Sequence, residues 1–244
     1  MLHRVLITTI SVLAFSALAA HADPKDDIQA AIQKLADSPN YTWTTTVEGG
    51  FRGGPQTGKT QKDGLTSLSL QMRDNSYEIL MKGDNAAVKM DDGWKSKAEL
   101  TAAAADQEGF SPERFLTIMI QNYKTPTAQA QDLVSKLQNI QKTDDGYSAD
   151  MTEDAAKEML TFRPRRATTN PDSNVPQMQV TNPKGSIKLW IKDGDLTKVE
   201  FHVTGTVSFN DNDRDVDRTT TTEFKDVGST TIDVPADAKA KLGS

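Results

Sequence analysis

The stretch Gly185–Phe209, GSIKLWIKDGDLTKVEFHVTGTVSF, decides the fold. Ile187, Leu189 and Ile191 alternate with Lys188, Trp190 and Lys192, and Val199, Phe201 and Val203 alternate with charged or polar residues. A period of two marks a strand with one apolar and one wet face. Asp193-Gly194 between the two runs suits the left-handed turn of a tight hairpin. The pair is antiparallel, and its apolar face needs a cover. His202 falls on the polar side of the alternation.

Downstream, RTTTTEFKDVG (Arg218–Gly228) and TTIDVP (Thr230–Pro235) read as further strand. Between hairpin and strand lies DNDRDVD, with Asp211, Asp213, Asp215 and Asp217 at alternate positions. Four such carboxylates could offer oxygens to calcium, but Val216 and Thr222 stand where an EF-hand loop needs Gly and Glu. The reading is an acidic hairpin tip with at most weak calcium binding. Upstream, Arg163–Gln179 is rich in Pro, Asn and Ser and reads as a loop. It carries the basic cluster Arg163, Arg165 and Arg166, a possible anion or headgroup contact.

The middle of the chain is helical in pattern. Ser111-Pro112 starts a helix with Phe115, Met119 and Tyr123 on one face and Leu116 and Ile120 beside them. Thr125–Ile140 repeats Ala130, Leu133, Val134, Leu137 and Ile140 at helical spacing, and Thr152 caps a third helix. Before these come short strands with turns between them. Tyr41, Trp43, Thr45 and Val47 share a face, as do Leu68, Leu70 and Met72, then Tyr77, Ile79 and Met81, then Val88 and Met90 ahead of a turn at Asp92-Gly93. Asp23-Pro24 opens a leading helix with Ile28, Ala31, Ile32 and Leu35. Strands, helices, then strands give an α+β domain with a large antiparallel sheet.

Residues 1–22 read as a secretory signal peptide: Arg4, an apolar run, and Ala20-His21-Ala22 ahead of Asp23. Cleavage would leave a single domain over 23–244, in the periplasm or secreted. Losing Arg4 takes the formal charge from -6 to -7, which disfavours nucleic acid as a partner. The chain has no cysteine, so thiol catalysis and zinc–thiolate sites are out. His202 is the one histidine after the leader, too little for a histidine metal centre. No pair of carboxylates is marked for glycosidase chemistry. The expectation is a non-enzyme without a cofactor.

One motif points elsewhere. GGPQTGKT, Gly53–Thr60, matches the phosphate-cradling loop of nucleotide hydrolases. That loop needs a buried parallel strand before it and a helix after it. Here an alternating strand precedes, and Asp63-Gly64 follows within a few residues. A long hairpin loop, without nucleotide, is the reading.

The order of events resembles the periplasmic lipoprotein-carrier superfamily, the LolA/LolB-like and LppX-like half-barrels. The likeness rests on the leading helix, the opening strand YTWTTTVEG, the strand ending in DDGW, and the closing stretch TTEFKDVGSTTIDVPADAKAKL. It implies an open half-barrel, a strongly curved sheet with helices over its concave face, carrying a lipid or lipidated protein. Candidate liners of that apolar space are Trp43, Leu68, Leu70, Met72, Ile79, Met81, Val88 and Met90 from the sheet, and Phe115, Leu116 and Met119 from a covering helix. Flexible Met and aromatic side chains suit a space that opens and closes. The alternative is an envelope interaction module whose sheet covers a filled core.

Overall fold

The computed structural model describes residues 23–49, 55–72, 75–105, 109, 111–161, 179–209 and 212–243. The signal-peptide reading, the Arg163, Arg165 and Arg166 cluster and Asp211 lie outside them.

The chain opens with α1 (Pro24–Ala36), capped by Asp23, whose carboxylate accepts from the Lys25 amide. A meander follows: β1 (Asn40–Glu48), β2 (Gln56–Gln61), β3 (Thr66–Met72), β4 (Asn75–Lys82), β5 (Asn85–Met90) and β6 (Gly93–Ser96). Then come α2 (Lys97–Ala105), α3 (Pro112–Asn122) and α4 (Pro126–Val134). The chain returns to strands with β7 (Leu137–Thr143) and β8 (Gly146–Met151), passes through α5 (Glu153–Leu160), and continues with β9 (Gln179–Lys192), β10 (Asp195–Phe209) and β11 (Asn212–Lys225). It ends in α6 (Ala236–Leu242).

All strands join one antiparallel sheet in the order β6-β5-β4-β3-β2-β1-β11-β10-β9-β8-β7. The fold is α+β with a curved, open sheet, antiparallel as the hairpin reading requires. The first meander runs outward from β1 to the β6 edge. The second starts at the opposite edge, β7, and runs inward until β11 pairs with β1, matching Trp43 to Phe224 and Val47 to Thr220. The chain must therefore travel from one edge to the other between β6 and β7. Ten strand spacings make that about 48 Å along the sheet. Helices α2, α3 and α4, of 9, 11 and 9 residues, supply about 44 Å of helix for the crossing. The connection itself carries helices over one face, the concave one.

The main core lies between that face and α1 to α5, with Ile28, Leu100, Leu116, Val134 and Ile187 almost wholly buried. Two glycines let α5 lie close to the sheet. A Cβ on Gly205 would sit 2.7 Å from Leu160 Cδ1, and one on Gly185 would sit 3.2 Å from Ala156 Cβ. The predicted turn at Asp193-Gly194 is present, both residues at positive φ (54° and 79°).

Four expectations change. The helical pattern of Thr125–Ile140 stops at Val134, and Leu137 and Ile140 belong to β7, where Asn139 takes φ 50° in a bulge. Strand β8 was not foreseen. The turn before Trp94 is centred on Asp91 and Asp92, since Met90 pairs with Gly93. Thr230–Pro235 is not a strand. It crosses the convex face, where Thr230 Oγ1 meets Thr42 Oγ1 at 2.7 Å and the Thr231 carbonyl accepts from Lys59 Nζ at 3.1 Å. It leads to α6, which covers Leu80 and Ala87 on the convex side with Ile232 and Val234. Helices therefore occupy both faces, with α6 on the convex one.

Candidate functional site

The phosphate-loop motif resolves first. Gly58, Lys59 and Thr60 lie in β2, not in a loop before a helix. The indole of Trp43 lies across Gly58, so that a Cβ there would sit 2.2 Å from Cζ2. Trp43 Nε1 donates to Thr60 Oγ1 at 3.3 Å, while Lys59 points to the convex face and holds the C-terminal strap. Each motif residue in the strand has a structural partner that accounts for it.

The acidic run resolves next. Asp213, Asp215 and Asp217 alternate along β11, so each carboxylate stands one strand repeat from the next. Each takes its own partner from β10: Ser208 donates to Asp213 at 2.5 Å, Thr206 to Asp215 at 2.7 Å, and His202 Nε2 lies 2.9 Å from Asp217. They do not converge, and among the described residues no group of three or more acidic or histidine side chains could hold a metal ion.

The apolar candidates do converge. Strand register aligns Val88, Ile79, Leu68, Gly58, Trp43 and Phe224 in one row across β5, β4, β3, β2, β1 and β11. Side chains directly paired across strands share a face, so four candidate liners stand side by side. Trp43, Leu68, Leu70, Ile79, Met81, Val88 and Leu116 are buried, whereas Met72, Met90, Phe115 and Met119 are partly exposed and pack against the core.

The exposure is ordered along the strands. Tyr41 and Trp43 are buried in β1, but Thr45 and Val47 are half-exposed. Leu68 and Leu70 are buried in β3 and Met72 is not; Val88 is buried in β5 and Met90 is not. In β10, Phe201 and Val203 are buried and Gly205 and Val207 are half-exposed. In β11, Phe224 and Thr222 are buried, and Thr220, Arg218 and Val216 are half-exposed. Register places these half-exposed residues at the same end of the sheet: Val47 pairs with Thr220, Arg218 with Val203, and Val216 with Gly205. Over β1, β3, β5, β10 and β11 the concave face is closed at one end and open at the other. Alternation alone could show which side chains share a face. It could not show where along the strands the helices stop covering them.

On the concave side of its open end β11 carries Arg214, opposite Val207, and Arg218, opposite Val203. Arg218 donates to the Met159 carbonyl at 2.6 Å, and burial pushes its guanidinium below the usual value. On the helical side of the core, two buried hydroxyls, Thr117 Oγ1 and Tyr123 Oη, have no hydrogen-bond partner among the described residues. Burial pushes the Tyr123 phenol well up, while Tyr41 Oη finds Thr127 Oγ1 at 3.0 Å. The sequence reading marked neither Thr117 nor Arg218 as a site residue. An isolated Arg in a threonine-rich strand gives no local signal.

Two surface hollows lie elsewhere. A cleft of about 460 Å³ is lined by Asp27, Lys34, Lys142 and Tyr147 among others, with Tyr147 donating to Asp27 at 2.6 Å. A shallower one of about 290 Å³ lies beside Trp190, where Lys198 Nζ stands 3.5 Å over the indole. None of the candidate liners borders either.

No protein-family signature matches the chain, and no curated protein does. Among solved structures it is similar to lipoprotein LppX of Mycobacterium tuberculosis, at a TM-score of 0.45 and 10% identity, covering 86% of this chain and 97% of that one. It is similar to LprF of Mycobacterium bovis at a TM-score of 0.45 and 12% identity, covering 88% and 97%. No helix among the described residues is long and apolar enough to cross a membrane.

Proposed function

We propose that this protein is an exported, non-enzymatic carrier that holds an acyl-chain ligand, free or attached to a protein, at the open end of its concave sheet face. The observation that supports this is the ordered loss of burial along five strands, which leaves apolar side chains half-exposed at the end that carries Val47, Met72, Met90, Val207 and Val216. Apolar residues exposed singly are ordinary on a surface, so it is their grouping at one end of the strands that carries the reading. Here the uncovered set includes Met72 and Met90, unbranched side chains that refit around a guest at little cost. Each methylene taken from water contributes about 0.8 kcal/mol, so a chain of ten carbons offers roughly 8 kcal/mol before the cost of association. The closed end, with Trp43, Ile79 and Val88, then acts as the floor against which the chain stops.

Helix α3 is the element that would yield. Its partly exposed Phe115 and Met119, and the Thr117 and Tyr123 hydroxyls in the helix and at its C-cap, which have no hydrogen-bond partner among the described residues, make its seat less favourable than a fully satisfied one. Native mass spectrometry and lipid extraction of the protein purified from its own host test the reading. An acyl-chain lipid at near one per chain is expected. Protein that carries no lipid, and takes up no decanoate or decanol when titrated, overturns it.

A further inference from the structure

We propose that Arg218 is the headgroup anchor of that site: its guanidinium receives the single negative charge, a carboxylate or phosphate, of an amphiphile whose chain lies along the open end of the concave face. This deepens the carrier reading and rests on it.

The argument starts from an imbalance. Arg218 is half-buried, yet no carboxylate among the described residues pairs with it; its recorded partner is the Met159 carbonyl at the C-terminal end of α5. Burial lowers its proton affinity. A guanidinium offers five N–H donors, and one carbonyl accepts from one nitrogen. A partly desolvated cation without a counter-ion is costly unless something anionic completes it.

The acidic side chains nearest in sequence cannot do so. Asp217 and Asp215 alternate with Arg218 along β11 and therefore face the convex side, where His202 and Thr206 already engage them. The nearest neighbours of Arg218 on its own face are apolar or small: Val203 opposite, Val216 and Thr220 two residues either way, and Val47 opposite Thr220, with Arg214 two residues beyond Val216. A planar fork edged by valines fits an anion that brings its own hydrocarbon. The contact to Met159 also fixes the fork, so little rotamer freedom remains to be lost on binding.

Titration calorimetry with decanoate, 1-decanol and inorganic phosphate tests the assignment on the whole mature chain. The wild type is expected to bind decanoate at least tenfold more tightly than decanol, with inorganic phosphate alone unbound at millimolar concentration. Arg218→Met should lose that preference, weakening decanoate at least tenfold and leaving decanol within about twofold. Arg218→Lys should keep part of it. Lys188→Met, a charge change on the convex face, should alter neither. Should Arg218→Met fail to fold, Arg218→Lys and the salt dependence of the wild type decide: added salt must weaken decanoate and spare decanol. Decanoate binding unchanged in a folded Arg218→Met, or both ligands weakened alike, overturns the anchor and leaves the carrier intact. Phosphate bound as tightly as decanoate also overturns it, since the site would then serve a free anion. A wild type that binds neither chain removes the carrier reading and the anchor with it.

Discussion

Gly58 shows how one residue can mislead in sequence and explain itself in space. In the string GGPQTGKT it reads as the glycine that lets a loop approach phosphate. In the fold it is the residue over which Trp43 lies, and a methyl group there would meet the indole at 2.2 Å. The three nearest atoms all belong to that large buried ring, which cannot give way cheaply. Gly58→Ala is expected to destabilise the protein by about 1–3 kcal/mol through overpacking, seen as a lower urea midpoint with an unchanged slope. Lys59→Ala, which removes one exposed contact to the Thr231 carbonyl, should cost less than about 1 kcal/mol. The reverse order of effects would mean that the lysine matters for more than the strap.

Whole elements went astray where a pattern fitted two structures at once. Leu133, Val134, Leu137 and Ile140 keep helical spacing, but α4 ends at Val134 and the last two residues enter β7. As an edge strand, β7 has apolar residues at few positions, so its alternation is faint. Strand β8 buries Tyr147, Ala149 and Met151, a correct alternation carried partly by a small alanine. Thr230–Pro235 has the composition of a strand but crosses the sheet instead of pairing with it, because its task is to bring α6 to the convex face.

The same scale holds a pH effect. Glu99 caps α2, accepting from the Ser96 amide at 2.7 Å, and also pairs with Lys241 of α6 at 2.5 Å. The Lys241 ammonium and then the Ser96 amide hold its carboxyl down from the usual 4.5 to about 2. A depressed folded-state value means the contribution is present above about pH 4.5 and lost as pH falls towards 2. Urea midpoints measured from pH 6 down to pH 2 should therefore fall less steeply in Glu99→Gln than in the wild type over that window. Parallel curves would show that the two contacts contribute nothing to docking α6.

At the scale of the molecule, the joining of two meanders through β1 and β11 makes the sheet continuous from edge to edge. The N-terminal and C-terminal halves then share a core under α1 to α5. The chain should unfold as one unit. Fluorescence of Trp43, Trp94 and Trp190, which sit on both faces and in both meanders, should change at the same denaturant concentration as far-UV circular dichroism. Two separated transitions would divide the chain into independently folding parts.

The sequence by itself determined the class of fold and the membership of its inner face. Alternation at Ile187, Leu189, Val199 and Phe201, the Asp193-Gly194 turn, and the rows containing Trp43, Leu68, Ile79 and Val88 are local patterns, and a pleated strand converts a local pattern directly into a face. The tertiary structure alone decided how far along each strand the helices reach, and so which end stays open. It alone set Arg218 among valines with its neighbouring aspartates on the other side. Burial and counter-ion pairing depend on which distant segments arrive at a point, and no run of neighbouring residues encodes that arrival.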